Sequence, residues 1–344
     1  MAADTVTNSD QTRGMTMSED RVDRLRHHVE VLAAGPRHRA IPGSLQRARD
    51  YCVRELGASG WESTQLPFRS GPSLLRTSDY GRAWWPVGAG GPIDGVNLIA
   101  HRGNPDGAIW LLAHLDSVHS SPGADDNASG VAALLELARH DLGPDVAIVL
   151  TDSEEAGVLG ARYLAKETLR PRLVINLESV GYFQDAPGTQ RLFPEITLTQ
   201  RETVKRLRAD GMRADFLLAV HRPNSAAAAR AWEQHAAAAG LRTVLLEDRR
   251  WNGRGQSLTR LNPIGLNLDR SDHAPFWRAQ VPAVIISDTA LLRNRNYHRP
   301  TDTPDTLDYP RMAQLVTSLT HTLPALREAV LEESARLGNG SARQ

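Results

Sequence analysis

The chain has 344 residues, enough for one large domain or two modest ones with a sizeable core. Its 40 basic residues are matched by 40 acidic ones, so charge gives no reason to expect nucleic acid or an anionic membrane as the main partner. A single cysteine, Cys52, excludes an internal disulfide and a thiolate metal cluster. It lies in the apolar-periodic run 48–56, which predicts a buried structural thiol.

Residues 1–19 are polar and read as a disordered tail. They show no basic start followed by an apolar core, the pattern of a secretory signal. No stretch approaches transmembrane length, and a cytoplasmic protein is expected. Residues 21–34 carry Val22, Leu25, Val29, Leu32 and Ala33 at helical spacing. A second helix is predicted over 44–56, stopped by Gly57. Residues 60–95 are rich in Gly, Pro and Trp and read as irregular, with Trp84 and Trp85 covering a core edge, the favoured reading, or lining a pocket. From Val96 short apolar runs alternate with helical stretches. Strands are predicted at 96–100, 108–113, 146–151, 173–177, 243–246 and 283–287. Helices are predicted at 128–142, 157–168, 225–239 and 310–331, and the chain is expected to fray from 332 to 344. Together these give one domain over 20–331. The expected fold is an α/β three-layer sandwich, with a mixed, mostly parallel central sheet and helices on both faces.

In such sheets ligands bind beyond the carboxyl ends of strands. Five segments at those ends carry imidazole or carboxylate: His114-Leu115-Asp116, Asp125-Asp126-Asn127, Asp152-Ser153-Glu154-Glu155, Glu178 and Tyr297-His298. So much unpaired anionic charge is costly to bury, and a cation cluster is the natural compensation. Imidazoles with carboxylates and no thiolate suit zinc and other borderline divalent ions. The groups outnumber one tetrahedral site, and two ions sharing a carboxylate would use them all. Taken singly, an HxD, a Glu-Glu pair or an Asp-Asp-Asn before a helix reads as a surface loop, a solvated pair or an N-cap. The order and spacing of the set carry the signal.

These residues resemble a known family. AHLDS at 113–117, GADDNASG at 123–130, SEEAGVLGARYLA at 153–165, NLESVGY at 176–182, SDHAPF at 271–276 and YHRPTDTPDTLD at 297–308 look like the di-zinc peptidases. That family includes bacterial leucyl aminopeptidases, glutamate carboxypeptidases and glutaminyl cyclases. The resemblance implies two zinc ions, one on His114 and Glu178, the other on Glu155 and His298, with Asp126 bridging. It implies Glu154 as general base and Tyr297 as an oxyanion stabiliser. Asp116, Asp302 and Asp272 would stand behind the ligands, Asp116 orienting His114 and Asp302 supporting His298. It also implies a cis peptide after Asp126. His273 is expected to shape the pocket floor and not to bind metal. Position 178 departs from the well-studied aminopeptidases, which have Asp there.

The implied activity is hydrolysis of a peptide or small amide, with an aminopeptidase the first expectation. A carboxypeptidase or small-molecule amidohydrolase is the second, for which Arg249, Arg250, Arg254 and Arg260 would clamp a substrate carboxylate. A glutaminyl-cyclase-like transferase is the third. A non-catalytic binding protein is the fourth, although every ligand position and Glu154 hold suitable groups.

Overall fold

The computed structural model describes residues 8–77, 79, 86–103, 108–166, 171–248 and 268–341. Its centre is made by four continuous apolar runs. In chain order the strands are β1 (Glu62–Arg69), β2 (Ser73–Thr77), β3 (Pro86–Gly90), β4 (Asp94–His101), β5 (Ile109–His114), β6 (Val146–Thr151), β7 (Leu173–Glu178), β8 (Leu217–His221), β9 (Thr243–Glu247) and β10 (Ala283–Ser287). Eight of them form one sheet in the order β1-β4-β6-β5-β7-β10-β8-β9, and β2 pairs with β3 apart from it. Strands β6, β5, β7 and β10 run parallel, while β4 and β8 are antiparallel to their inner neighbours. A central parallel strand is covered on both faces, which is why its sequence is apolar throughout instead of alternating.

The strands divide their side chains between two cores with period two. On β5, Ile109, Leu111 and Ala113 join one core, which also takes residues from α1 (Asn8–Leu32), α2 (Ser44–Ala58), α3 (Gly130–Leu137), α7 (Ala226–Ala238) and α9 (Tyr309–Ser341). Trp110 and Leu112 point the other way. They join a core with α4 (Leu159–Leu164), α5 (Pro194–Thr199), α6 (Arg201–Ala209) and α8 (His273–Arg278). This is the three-layer α/β arrangement that the alternation of apolar runs predicts. Cys52 is fully buried on the first face.

Several boundaries differ from the sequence-based expectation. Helix α1 begins at Asn8 and α9 reaches Ser341, so each runs into a stretch read as a tail. Strand β1 lies in the segment read as irregular. It is the edge strand, mostly exposed and carrying Pro67, so it lacks the apolar run that marked the others. Strand β8 was not anticipated either, because a five-residue apolar run looks the same in a strand and in a buried helix. The helix expected from 128 starts later, because Asp126 and Asn127 are not helical and α3 opens at Gly130. Trp84 and Trp85 and the arginines at 249, 250, 254 and 260 lie outside the described residues.

Candidate metal centre

The carboxyl ends of β5, β6 and β7 bring the expected ligands together. His114 closes β5, Glu178 closes β7, and Glu154 and Glu155 follow β6. Asp126 comes from the loop before α3, and His298 from the loop after β10. Asp126 lies between the two imidazoles. Its Oδ1 is 3.0 Å from His114 Nε2 and its Oδ2 is 3.1 Å from His298 Nε2. Glu178 Oε2 approaches His114 Nε2 at 3.4 Å, and Glu155 Oε2 approaches His298 Nε2 at 3.2 Å. Two overlapping triads result, His114-Asp126-Glu178 and Asp126-Glu155-His298, each with donor atoms within 4.8 Å of one another.

The polar atoms at the centre fit a cation. Nε2 of His114, Nε2 of His298 and Oε1 of Glu155 are buried and make no hydrogen bond among the described residues. Buried polar atoms are normally satisfied, so three orphans aimed into one space need an occupant. The field there is strongly negative. Burial alone would lower the His114 pKa, but the carboxylates of Glu178, Asp116 and Asp126 beside it carry it well above its ordinary value. Burial opposes Glu155 and Asp126 raises it further, so its carboxyl moves up to about 6. Imidazoles that take up protons this readily stand where a positive charge is favoured.

The backbone around the cluster is held by hydrogen bonds that the sequence motifs do not announce. Asp116 accepts from the backbone N–H of Glu154 at 3.0 Å and of Glu155 at 3.2 Å. Its contact with His114 is made chiefly through its own carbonyl, 3.0 Å from Nδ1, with the carboxylate at 3.6 Å. Asp302 accepts from the N–H of Asp125 at 3.0 Å and of Asp126 at 3.3 Å. It therefore fixes the Asp126 loop, while His298 Nδ1 has no hydrogen bond among the described residues. Asp272 is buried and accepts from the Thr151 hydroxyl, and burial raises its carboxyl to about 7. Asn127 ties the same loop to β7. Its amide donates to Leu177 O at 2.8 Å and its Oδ1 accepts from Ser179 N–H at 3.1 Å. The peptide between Asp126 and Asn127 is cis, as the resemblance implies. Ser153, beside the cluster, and His298, within it, take φ of 58° and 59°, a cost the surroundings must offset.

Arg37 is the residue that motif reading missed. Only 2% exposed, it donates to the carbonyls of Leu115, Leu32, Pro122 and Gly123 at 2.7–2.9 Å. It clamps the loop that leaves His114 and enters Asp126. A lone arginine before the first strand carries no signal of that role. Gly123 makes the clamp possible, because at φ 64° a Cβ would stand 2.3 Å from Asp126 O and 2.7 Å from Ser117 Cβ.

A cavity of ≈ 320 Å³ opens beside the cluster and is lined by Asp126, Glu154, Glu155, Glu178, Tyr297 and His298 on that side. Burial raises the Glu154 carboxyl well above its ordinary range, and Glu178, Glu155 and Asp272 add to the effect. Burial, with Asp126 and Glu155 nearby, likewise keeps the Tyr297 phenol protonated. Its ring stacks on His298 with centroids 3.9 Å apart. His273 also lines the cavity. Its Nε2 lies 2.8 Å from Leu268 O, its ring packs edge-on to Trp277, and it belongs to neither triad.

Comparison with known proteins gives a consistent picture. Residues 97–216 match the profile of Peptidase family M28. The uncharacterized protein YfbL of Escherichia coli (strain K12) is 36% identical over 320 residues, which cover 84% of this chain and 89% of that protein. The fold resembles that of BSAP, a zinc aminopeptidase from Bacillus subtilis, with a TM-score of 0.60 at 15% identity, covering 88% of this chain and 94% of that one. It also resembles the glutaminyl cyclase of Porphyromonas gingivalis, with a TM-score of 0.57 at 20% identity, covering 89% and 98%. The matched profile spans the strands that carry His114, Glu155 and Glu178, and the likeness to YfbL extends over most of the chain. This chain belongs to peptidase family M28.

Proposed function

We propose that the chain is a zinc-dependent exopeptidase acting as an aminopeptidase, with two zinc ions held by His114, Asp126, Glu155, Glu178 and His298. The observation that carries the reading is Asp126, whose two oxygens each face a different orphaned imidazole nitrogen. Membership of a peptidase family and the likeness to a zinc aminopeptidase support the reaction class. Two imidazoles, three carboxylates and no thiolate suit zinc. When bound there, zinc would polarise the scissile carbonyl and lower the pKa of a water towards neutrality.

The protein's own groups divide the remaining work. Glu155 is committed to the His298 side of the cluster, which leaves Glu154 free on the cavity wall. Glu154 takes the proton of the attacking water and delivers it to the leaving nitrogen. The protonated Tyr297 phenol donates to the oxygen that gains charge. Ser271 donates to Glu178 Oε2 at 2.7 Å and, at its own Oγ, accepts from Asn176 at 2.8 Å, which steadies the longer Glu side chain at that position.

The test uses zinc-loaded protein and a pool of short peptides, half with free and half with acetylated N-termini, followed by mass spectrometry. Cleavage of free-amine peptides alone, one residue at a time, is expected. Acetylated peptides cut from the other end would instead make it a carboxypeptidase, and pyroglutamate formation would make it a cyclase. Glu154→Gln should keep its zinc and lose about 10²–10⁴-fold in kcat; normal turnover in that variant would remove the assigned base. Among the described residues no helix is long and apolar enough to cross a membrane. A cytoplasmic location is part of the proposal, and cell fractionation checks it.

A further inference from the structure

The two proposed metal positions share Asp126 but differ in how their other ligands are held. His114 and Glu178 are the last residues of β5 and β7, so the sheet itself fixes them. His298 stands in the connection between β10 and α9, which contains two short 3-10 turns, Ala290–Leu292 and Pro304–Thr306. A loop places a side chain only as well as its own hydrogen bonds hold it. Asn294, upstream of His298 and 3% exposed, supplies two such bonds. Its Nδ2 donates to Asp125 Oδ2 at 2.8 Å, and its Oδ1 accepts from the Asn296 N–H at 2.8 Å. A backbone N–H can only donate, so Oδ1 must face Asn296, and the amide is left to donate to the carboxylate. Asn296 in turn accepts at its carbonyl from the Arg299 N–H at 2.9 Å, which closes the turn that presents Tyr297 and His298. One side chain therefore joins that turn to the residue beside the shared ligand. Its backbone is anchored as well. The Asn294 N–H reaches Ala290 O at 2.8 Å, and the neighbouring Arg293 donates to Phe216 O at 2.8 Å and to Gln190 Oε1 at 2.9 Å.

We propose that Asn294 is a positioning residue for the Glu155–His298 metal position, holding the His298 imidazole at Asp126, and that the His114–Glu178 position does not depend on it. The inference rests on the di-zinc reading. The asymmetry follows from the bonds that remain when the Asn294 amide is removed. The Asp126 loop keeps the Asp302 carboxylate on the N–H groups of Asp125 and Asp126 and the Gly181 N–H on Asp125 Oδ1 at 3.0 Å. It also keeps the Asn127 amide on Leu177 O. The turn of His298 keeps Asp302 downstream but loses its upstream tie to that loop. Ser120 Oγ, 3.4 Å from His298 O, is too distant to replace it. At φ 59° His298 sits in a costly conformation, which persists only while its surroundings restrain it. Freed on one side, it can relax away from Asp126.

The test reads each metal position alone, in the full chain, with zinc as the probe. His298→Ala leaves His114, Glu178 and Asp126 to hold zinc, and His114→Ala leaves Glu155, His298 and Asp126. Asn294→Ala is made in both backgrounds, and zinc dissociation constants are measured by competition with a chelator. In the His114→Ala chain the substitution should weaken zinc about 10–100-fold, and in the His298→Ala chain it should leave zinc within about threefold. Asn294→Asp has the same shape and keeps the acceptor for Asn296, but sets a second carboxylate against Asp125. It should weaken the same position at least as much, and it replaces Asn294→Ala in both backgrounds if that variant does not fold by circular dichroism. An equal loss in the two backgrounds overturns the inference, because Asn294 would then be a general support of the fold. No loss in either overturns it too. Peptide turnover is measured apart, on the chain with both histidines intact. Zinc affinities that split as described, with no peptide cut, keep the positioning role and remove the aminopeptidase. Peptide cleavage by the parent chain, with both positions weakened equally by Asn294→Ala, removes the positioning role alone.

Discussion

The two ends of the cavity are built on different principles. At the ends of β5, β6 and β7 most backbone and carboxylate groups have a named partner, and orphaned atoms of His114, His298 and Glu155 belong to the two triads. At the β8–β9 end Leu218, Val220, Val244 and Leu246 line the wall in strand register. The first end fixes positions through directional bonds to backbone, in loops a few residues long. The second end fixes a volume through packing among segments far apart in the chain. Chemistry needs the former and a binding space needs the latter, so a change at one end should leave the other largely intact.

The sharpest way to break that separation is Arg37→Met. It strips a buried guanidinium from four carbonyls, of which Gly123 O still accepts from the Ala128 N–H. A stability loss of about 3 kcal/mol or more is expected in denaturant titration, with zinc affinity falling alongside it. A stable variant with normal zinc binding would show that the clamp is not what holds the loop.

His273, which also lines the cavity, reports on pH. Burial holds its imidazole down to about 4 in the folded chain, against an ordinary value near 6.5. Above about pH 6.5 the ring is neutral in both states and costs nothing. As the pH falls from there towards 4 the unfolded chain takes up a proton that the folded chain refuses. Stability should therefore drop on acidification by up to roughly 3 kcal/mol. His273→Gln should flatten that part of the stability–pH curve relative to the parent chain, and an unchanged slope would mean that His273 is not the group responsible.

Asp302→Asn sharpens the comparison with a smaller effect. It weakens the hold on the Asp125 and Asp126 N–H groups without touching a proposed ligand or the β8–β9 wall. Zinc affinity should fall about 10–100-fold, measured by competition with a chelator, and an unchanged affinity would show that these two bonds do not hold the loop.

The same contrast explains what was legible in the sequence. The inner parallel strands are buried on both faces, so their apolar runs mark them directly. His114, Glu155 and Glu178 follow those runs, and Asp126 and His298 stand in compact motifs, so their convergence could be expected from order alone. Asp116 and Asp302 were recognisable as supporting carboxylates, but their principal partners were not. Which N–H a carboxylate meets depends on loop geometry that motif spacing does not carry. Arg37 was invisible because its partners are carbonyls, which every residue possesses. Strand β1 was missed because an exposed edge needs no apolar face. The far wall of the cavity was missed because it is made by pairing β10, β8 and β9, three segments whose adjacency no local pattern reveals.

The most direct test of the account is zinc content per chain in the parent protein and in His114→Ala, His298→Ala and Asp126→Ala, each folded by circular dichroism. The arrangement of two triads sharing one carboxylate predicts two zinc ions in the parent chain. It predicts one after either histidine is removed and a loss at both positions without Asp126. A parent chain that holds a single zinc, or a His298→Ala variant that keeps the full complement, would contradict it.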